Sequence, residues 1–197
     1  MKIFLVRHGS TLWNQELRYQ GQTDIELSEQ GREQAALAAD YLKGQNIQAL
    51  YCSDLRRCIQ TAKIIGDSVE LEAIIEPRFR EISFGIWEGL TYAEAKARYP
   101  ELVRQRIKNT LNFQIPRGES LYQGMERAWE AWEEILPKPH DPVAIITHGG
   151  IIKVLLHKAG VMTIDEFWGV EIKPASITML DTDTKQRRFL LPPLNNC

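Results

Sequence analysis

Short runs rich in β-branched and aromatic residues alternate with helical patterns along this chain, and that alternation limits the folds open to it. The runs are Lys2–Val6, Gln48–Cys52, Leu71–Ile75, Val143–Thr147, Ser176–Leu180 and Arg188–Leu191. Strands interleaved with helices indicate a layered α/β fold with a mainly parallel sheet. We therefore expect a three-layer αβα sandwich. The last two runs are joined by Asp181–Arg187 and read as a hairpin, which adds an antiparallel edge.

The helical segments carry their own punctuation. Ser28 suits the N-cap of a helix that runs to Lys43 and ends at Gly44. Ser53 or Asp54 can cap the next, where Leu55, Cys58, Ile59, Ala62 and Ile65 make one apolar face. Leu121, Met125, Ala128, Trp129, Trp132, Ile135 and Leu136 keep helical spacing, with Ser120 and Gln123 placed for a capping box and Pro137 and Pro139 as the stop. A last helix follows Gly150. Residues 82–117 break the alternation. They hold two short helical patterns, Tyr92–Tyr99 and Glu101–Asn109, and read as an excursion covering a site within a single domain of residues 1–197.

At 197 residues the chain suits one well-packed domain. Its 24 Lys and Arg against 26 Asp and Glu leave no broad basic field, which disfavours nucleic acid as a partner. No apolar run reaches a membrane-spanning length or a signal-peptide core, so no membrane association is expected. Three cysteines, Cys52, Cys58 and Cys197, lack a disulfide framework. They point to free thiols in a reducing compartment, and a cytoplasmic location is expected.

The first run ends unusually. In KIFLVRHGSTLWN, Arg7 and His8 follow four apolar residues, with no acidic partner nearby. The partner must come from elsewhere in the fold, or be a ligand. His148, in IITHGGIIK, also follows a strand and precedes glycine. Ligands in such sheets bind beyond the carboxyl ends of the strands, and the free N–H groups of the helix after His148 favour an anion. A third strand end delivers Arg56 and Arg57, which cannot both face one way on a helix. A phosphate dianion would satisfy such a set. His140 and His157 read as surface or packing residues.

RHGSTLWN, GQTDIELSEQGREQA, SDLRRCIQTA, REISFGIWEG, GESL and THGG occur in this order between residues 3 and 150. Together they resemble the signature of the histidine phosphatase superfamily, the phosphoglycerate mutase-like proteins, and in size the small bacterial phosphatases, including alpha-ribazole and broad-specificity phosphatases. The resemblance implies His8 as a nucleophile that takes a phosphoryl group. It implies Arg7, Arg57 and His148 as ligands of the phosphoryl oxygens, and Glu81 as proton donor in preference to Glu88. It further implies substrate-binding positions at Ser10, Thr11, Asn14, Gln20, Gly21 and Gly149. Ser10 departs from the Glu or Gln usual at its position, Glu26 from a proline, and Arg117 from a small residue.

The chemistry is consistent with that allocation. Phosphoryl transfer depends on positioning and charge stabilisation. An arginine fork matches phosphoryl oxygens, and neighbouring cations keep an imidazole neutral and nucleophilic. Glu81 would start protonated, assist the leaving alkoxide and then act as base on water. The expected activity is that of a phosphomonoesterase acting on a small phosphorylated metabolite, with no cofactor. Neither HExxH nor GxxxxGK[ST] occurs, so neither a metal nor a P-loop is expected. The DTDT at 181–184 reads as a solvated turn, and the C-x4-R from Cys52 to Arg57 is one residue short of a cysteine-phosphatase loop. Two rival readings are a phosphoglycerate mutase and a non-catalytic binder. Mutases carry a longer insertion than the Ile82–Arg117 stretch found here, and a binder would have lost part of the constellation.

Overall fold

The computed structural model describes residues 1–190. Its elements in chain order are β1 (Lys2–Arg7), α1 (Leu12–Gln15), α2 (Glu29–Lys43), β2 (Ala49–Cys52), α3 (Arg56–Val69), β3 (Ala73–Ile75), α4 (Tyr92–Arg98), α5 (Pro100–Lys108), α6 (Leu121–Ile135), β4 (Val143–Thr147), α7 (Gly149–Lys158), β5 (Ile177–Asp181) and β6 (Gln186–Leu190). One six-stranded sheet has the order β3-β2-β4-β1-β5-β6. The β1/β4, β2/β4 and β2/β3 pairs are parallel, while β5 and β6 are antiparallel. The expected Leu191 end of the last strand, and Cys197, lie outside the described residues.

Side chains alternate across a strand, and the alternation builds two cores. Ile3, Leu5, Val143 and Ile145 face α6 and α7 with Met125, Trp132 and Leu155. Phe4, Val6, Ala144 and Ile146 face α2 and α3 with Ala38, Leu42 and Ile65. Each such aliphatic burial contributes about 1.5–3 kcal/mol. The sheet thus has helices on both faces, the three-layer arrangement expected. A third, smaller cluster of Trp87, Ala95, Val103 and Ile115 gives the cover a core of its own. The cover is tied to the loop after β1 by Tyr19 N–H on Leu90 O (2.9 Å) and Gly89 N–H on Tyr19 O (2.8 Å).

The Ser28 cap and the Ser120–Gln123 capping box form as the spacing predicts. The cap of α3 does not. Leu55 stands at its N-cap without a side-chain hydrogen bond. Asp54 is drawn instead into an ion pair with Arg80 (2.6 Å), and Asp24 supplies the carboxylate that accepts from Arg56 N–H at 2.7 Å. A long-range acid has taken the place of the local cap. Ile59, expected on the buried face of α3, is 38% exposed.

Candidate active site

β1 and β4 are neighbours in register, Arg7 opposite Thr147, so the residues that follow them meet at the sheet's carboxyl edge. The rings of His8 and His148 sit edge to face with centroids 5.1 Å apart. His8 is buried, and its Nδ1 lies 2.7 Å from the Gly9 carbonyl oxygen. A carbonyl only accepts, so Nδ1 carries the proton and Nε2 carries the lone pair. Burial, then the charges of Arg57 and Arg7, hold the imidazole well below its ordinary pKa. His8 is therefore neutral at pH 7.

Two guanidinium groups flank it. Arg57 is wholly buried; Nη1 donates to Thr23 O (2.8 Å), Nη2 to Gly21 O (2.6 Å) and Nε to His148 Nδ1 (3.3 Å). Arg7 Nη1 donates to Ile172 O (2.5 Å), and its Nε is buried without a partner among the described residues. Among the described residues neither arginine forms an ion pair; burial lowers both pKa values, against the opposing charge of Glu81, and the charge of Arg57 adds to the shift at Arg7. A wholly buried cation beside a partly buried one, with no carboxylate in direct contact, is costly. An anion between them removes that cost.

The N-terminal end of α7 adds backbone donors. Gly149 and Gly150 line the same cavity, of about 690 Å³, as Arg7, His8, Arg57 and Glu81. Glu81 is held there by backbone: Oε2 accepts from Gly150 N–H (3.1 Å) and Oε1 from Ile82 N–H (3.0 Å). A Cβ on Gly150 would stand 2.5 Å from Glu81 Oε1, so that position must be glycine for the carboxylate to approach. The rival Glu88 is occupied elsewhere. It accepts from the Gln22 N–H (3.1 Å), the Thr23 N–H (3.0 Å) and the Phe84 N–H (3.0 Å), bracing the cover against the loop before α2. Glu119 of GESL is a second brace, accepting from Ser83 N–H (3.0 Å), Gln22 (3.2 Å) and Arg127 (3.0 Å).

The other expected positions divide. Asn14, Gln20, Gly21 and Gly149 line the cavity. The Asn14 oxygen already accepts from Thr11 N–H (3.0 Å), so its amide nitrogen is what it has to offer a ligand. Ser10 and Thr11 lie outside the cavity lining. Ser10 donates its N–H to Gln34 and accepts from Ser28, and Thr11 caps α1. His148 is fully buried and also outside the lining. Its nitrogens are engaged by Arg57 and by Ser53 Oγ (3.0 Å), so in this geometry it supports Arg57. Arg56 is exposed and paired with Asp24. Arg117 is exposed, lies outside this cavity and adopts φ 64°.

Sequence reasoning missed the walls. Tyr19, Trp168 and Lys153 line the cavity without belonging to a family motif, and Trp87 lines it from REISFGIWEG without having been named as a binding residue. Lys153 had a signal: it sits one helical turn after Gly149 and Gly150 and so shares their face. Ile172 had none, because its contribution is a backbone oxygen.

Among the described residues no helix is long and apolar enough to cross a membrane. Residues 3–193 match the model of the histidine phosphatase superfamily (branch 1). The chain is 38% identical over 162 residues to phosphoglycerate mutase-like protein 4 of Arabidopsis thaliana, covering 80% of this chain and 70% of that one. It is 31% identical over 196 residues to phosphoserine phosphatase 1 of Hydrogenobacter thermophilus, covering 99% and 92%. The structure superimposes on a mycobacterial glucosyl-3-phosphoglycerate phosphatase in complex with VO3, with TM-score 0.85, 30% identity, and coverage of 96% and 97%. A near-full-length family match, carried on a fold that sets a neutral histidine between two unpaired arginines, makes this chain a member of the histidine phosphatase superfamily and one of its enzymes.

Proposed function

We propose that the protein is a phosphomonoesterase that hydrolyses a small phosphorylated metabolite through a phosphohistidine on His8. One observation carries the reading: a neutral imidazole, with its lone pair on Nε2, lies in a cavity floor beside two guanidinium groups, Arg57 buried and Arg7 partly so, that form no ion pair among the described residues. In the first step Nε2 attacks phosphorus, the bond to the ester oxygen breaks, and Glu81 gives that oxygen its proton. Arg7, Arg57 and the N–H groups at the start of α7 stabilise the transferred phosphoryl charge, with Asn14 assisting. In the second step the Glu81 carboxylate takes a proton from water. The water oxygen bonds to phosphorus, and the P–N bond breaks with its electron pair returning to Nε2. His148 is a positioning residue that holds Arg57.

Relatives named as phosphatases support hydrolysis, and the short Ile82–Arg117 cover gives water a route to the phosphohistidine. A relative named as mutase-like keeps phosphoryl return to the substrate as the second reading. Phosphate release from p-nitrophenyl phosphate tests the first. His8→Ala is expected to abolish it, and a loss of less than about tenfold rules out His8 as nucleophile. An acid-labile, alkali-stable phosphoprotein is expected in the wild type alone. Assay with 3-phosphoglycerate, with and without a 2,3-bisphosphate primer, detects a mutase.

A further inference from the structure

The cavity does not end at the phosphoryl floor. It continues under the cover to a wall built from α5 and the loop before α2, where Arg106 is only 4% exposed. Nη1 of Arg106 donates to Phe113 O at 3.1 Å, and the guanidinium lies 6.0 Å from the centroid of the Trp168 ring. Its Nε and Nη2 make no hydrogen bond among the described residues, and no carboxylate pairs with it. The other cavity cations are better compensated. Arg18 pairs with Glu16 and Glu94, and Lys153 feels Glu81 and Glu171. The Trp168 ring and the Tyr19 phenol are near Arg106, and Trp87 and Val103 line the same cavity. Burial pushes its pKa down to about 10, with only the Tyr19 phenol opposing the shift.

The free edge of Arg106 is informative. Nε and Nη2 lie on one side of the guanidinium plane's fork, the side that takes a carboxylate with two parallel hydrogen bonds. An aromatic wall beside it suits a flat apolar body. The same cavity holds His8, Arg57 and Glu81. A molecule long enough to span the cavity can keep its phosphoryl group on that floor and set its leaving group against Arg106. Gln20, 7% exposed and lining the same cavity, keeps a buried Oε1 without a partner among the described residues, an acceptor for a donor on the occupant.

We propose that Arg106 is a second anion subsite, and that the substrate is a phosphomonoester whose leaving group has a flat apolar body bearing a carboxylate. The inference rests on the phosphomonoesterase reading for its catalytic meaning, but the subsite can be tested by binding alone. The probes are 2-naphthyl phosphate and 6-carboxy-2-naphthyl phosphate, with the matching pair of non-hydrolysable naphthyl phosphonates. In the wild type the carboxylated ester is expected to have a kcat/KM about tenfold or more above the neutral one, and the carboxylated phosphonate a Kd lower by a similar factor. In Arg106→Met and Arg106→Gln both ratios are expected to fall to about one. Arg104→Gln, an exposed residue paired with Glu101, should keep the wild-type ratios. Without ligand, Arg106→Met should melt at or above the wild-type temperature, because it removes an uncompensated buried charge. A wild-type ratio near one, or the same ratio in wild type and Arg106→Gln, overturns the subsite. Should the wild type hydrolyse neither ester, the phosphomonoesterase reading fails, and the phosphonate pair still decides the role of Arg106.

Discussion

Arg57 donates its Nε–H to His148 Nδ1 across 3.3 Å, and that contact sets the tautomer of His148. With Nδ1 accepting, the ring proton is on Nε2 and donates to Ser53 Oγ at 3.0 Å. Ser53 thereby anchors His148, and His148 anchors a guanidinium that is wholly buried. Ser53→Ala leaves the Nε2–H with only the weak acceptor Cys58 Sγ, 3.4 Å away. The expected outcome is a stability loss of about 1–3 kcal/mol in urea unfolding. Phosphatase kcat should fall about tenfold as Arg57 loosens. An unchanged kcat would show that Arg57 is held without His148.

Glu81 and Gly150 are a coupled pair. Gly150→Ala puts a methyl group where Glu81 Oε1 now stands, and the flexible carboxylate end has to move. Position 150 lies in the first turn of α7, so the alanine itself costs the helix nothing. Unfolding stability should stay within about 1 kcal/mol of wild type. The kcat should drop about 100-fold, since a displaced proton donor is a misplaced one. A variant that loses stability but keeps kcat contradicts the role given to Glu81.

Acid should destabilise the fold through two histidines. His8 and His148 are both held well below pKa 6.5 when folded, by burial first and by Arg57 next. Once unfolded they titrate near about 6.5. Below that value the unfolded chain binds protons that the folded chain refuses, so stability falls as pH falls. The two groups together give a slope of up to about 2.7 kcal/mol per pH unit. Above about pH 7 their contribution is flat. Urea midpoints between pH 5 and 8 measure this (a window of roughly that width clears the ordinary carboxylates). The slope should weaken by about half in His148→Gln.

Metal removal should leave the activity intact. In the proposed reaction Arg7, Arg57 and the α7 N-terminus do the charge stabilisation that a divalent ion supplies elsewhere. Hydrolysis of p-nitrophenyl phosphate after dialysis against excess EDTA is expected at the untreated rate. Loss of the activity, restored by added metal, contradicts that assignment.

The helices α2 and α6 were legible because their caps and apolar faces are local: Ser28 sits three residues from Gly31, and Ser120 three from Gln123. The six strands were legible from their runs, and their ends moved by one or two residues in most cases. The cap of α3 was not legible, because the carboxylate that serves it is Asp24, 32 residues away. The site shows the same division. His8, Arg7, Arg57 and Glu81 could be named from motifs and meet in one cavity. Ser10, Thr11 and His148 carried the same motif signal and do not line it: Gln34 holds the Ser10 N–H, Asn14 the Thr11 hydroxyl and Arg57 the His148 ring.

The sequence by itself determined the alternation of strand and helix, the two-sided sheet and the chemical types gathered at its carboxyl edge, because periodicity, caps and glycines act over a few residues. Tertiary structure decided which cations stay unpaired. Arg7 ends on the Ile172 carbonyl, Arg57 on those of Gly21 and Thr23, and Arg106 on that of Phe113. A backbone oxygen can be offered by any residue, so no sequence pattern marks these partners, and only the folded chain reveals where charge has been left for a ligand to neutralise.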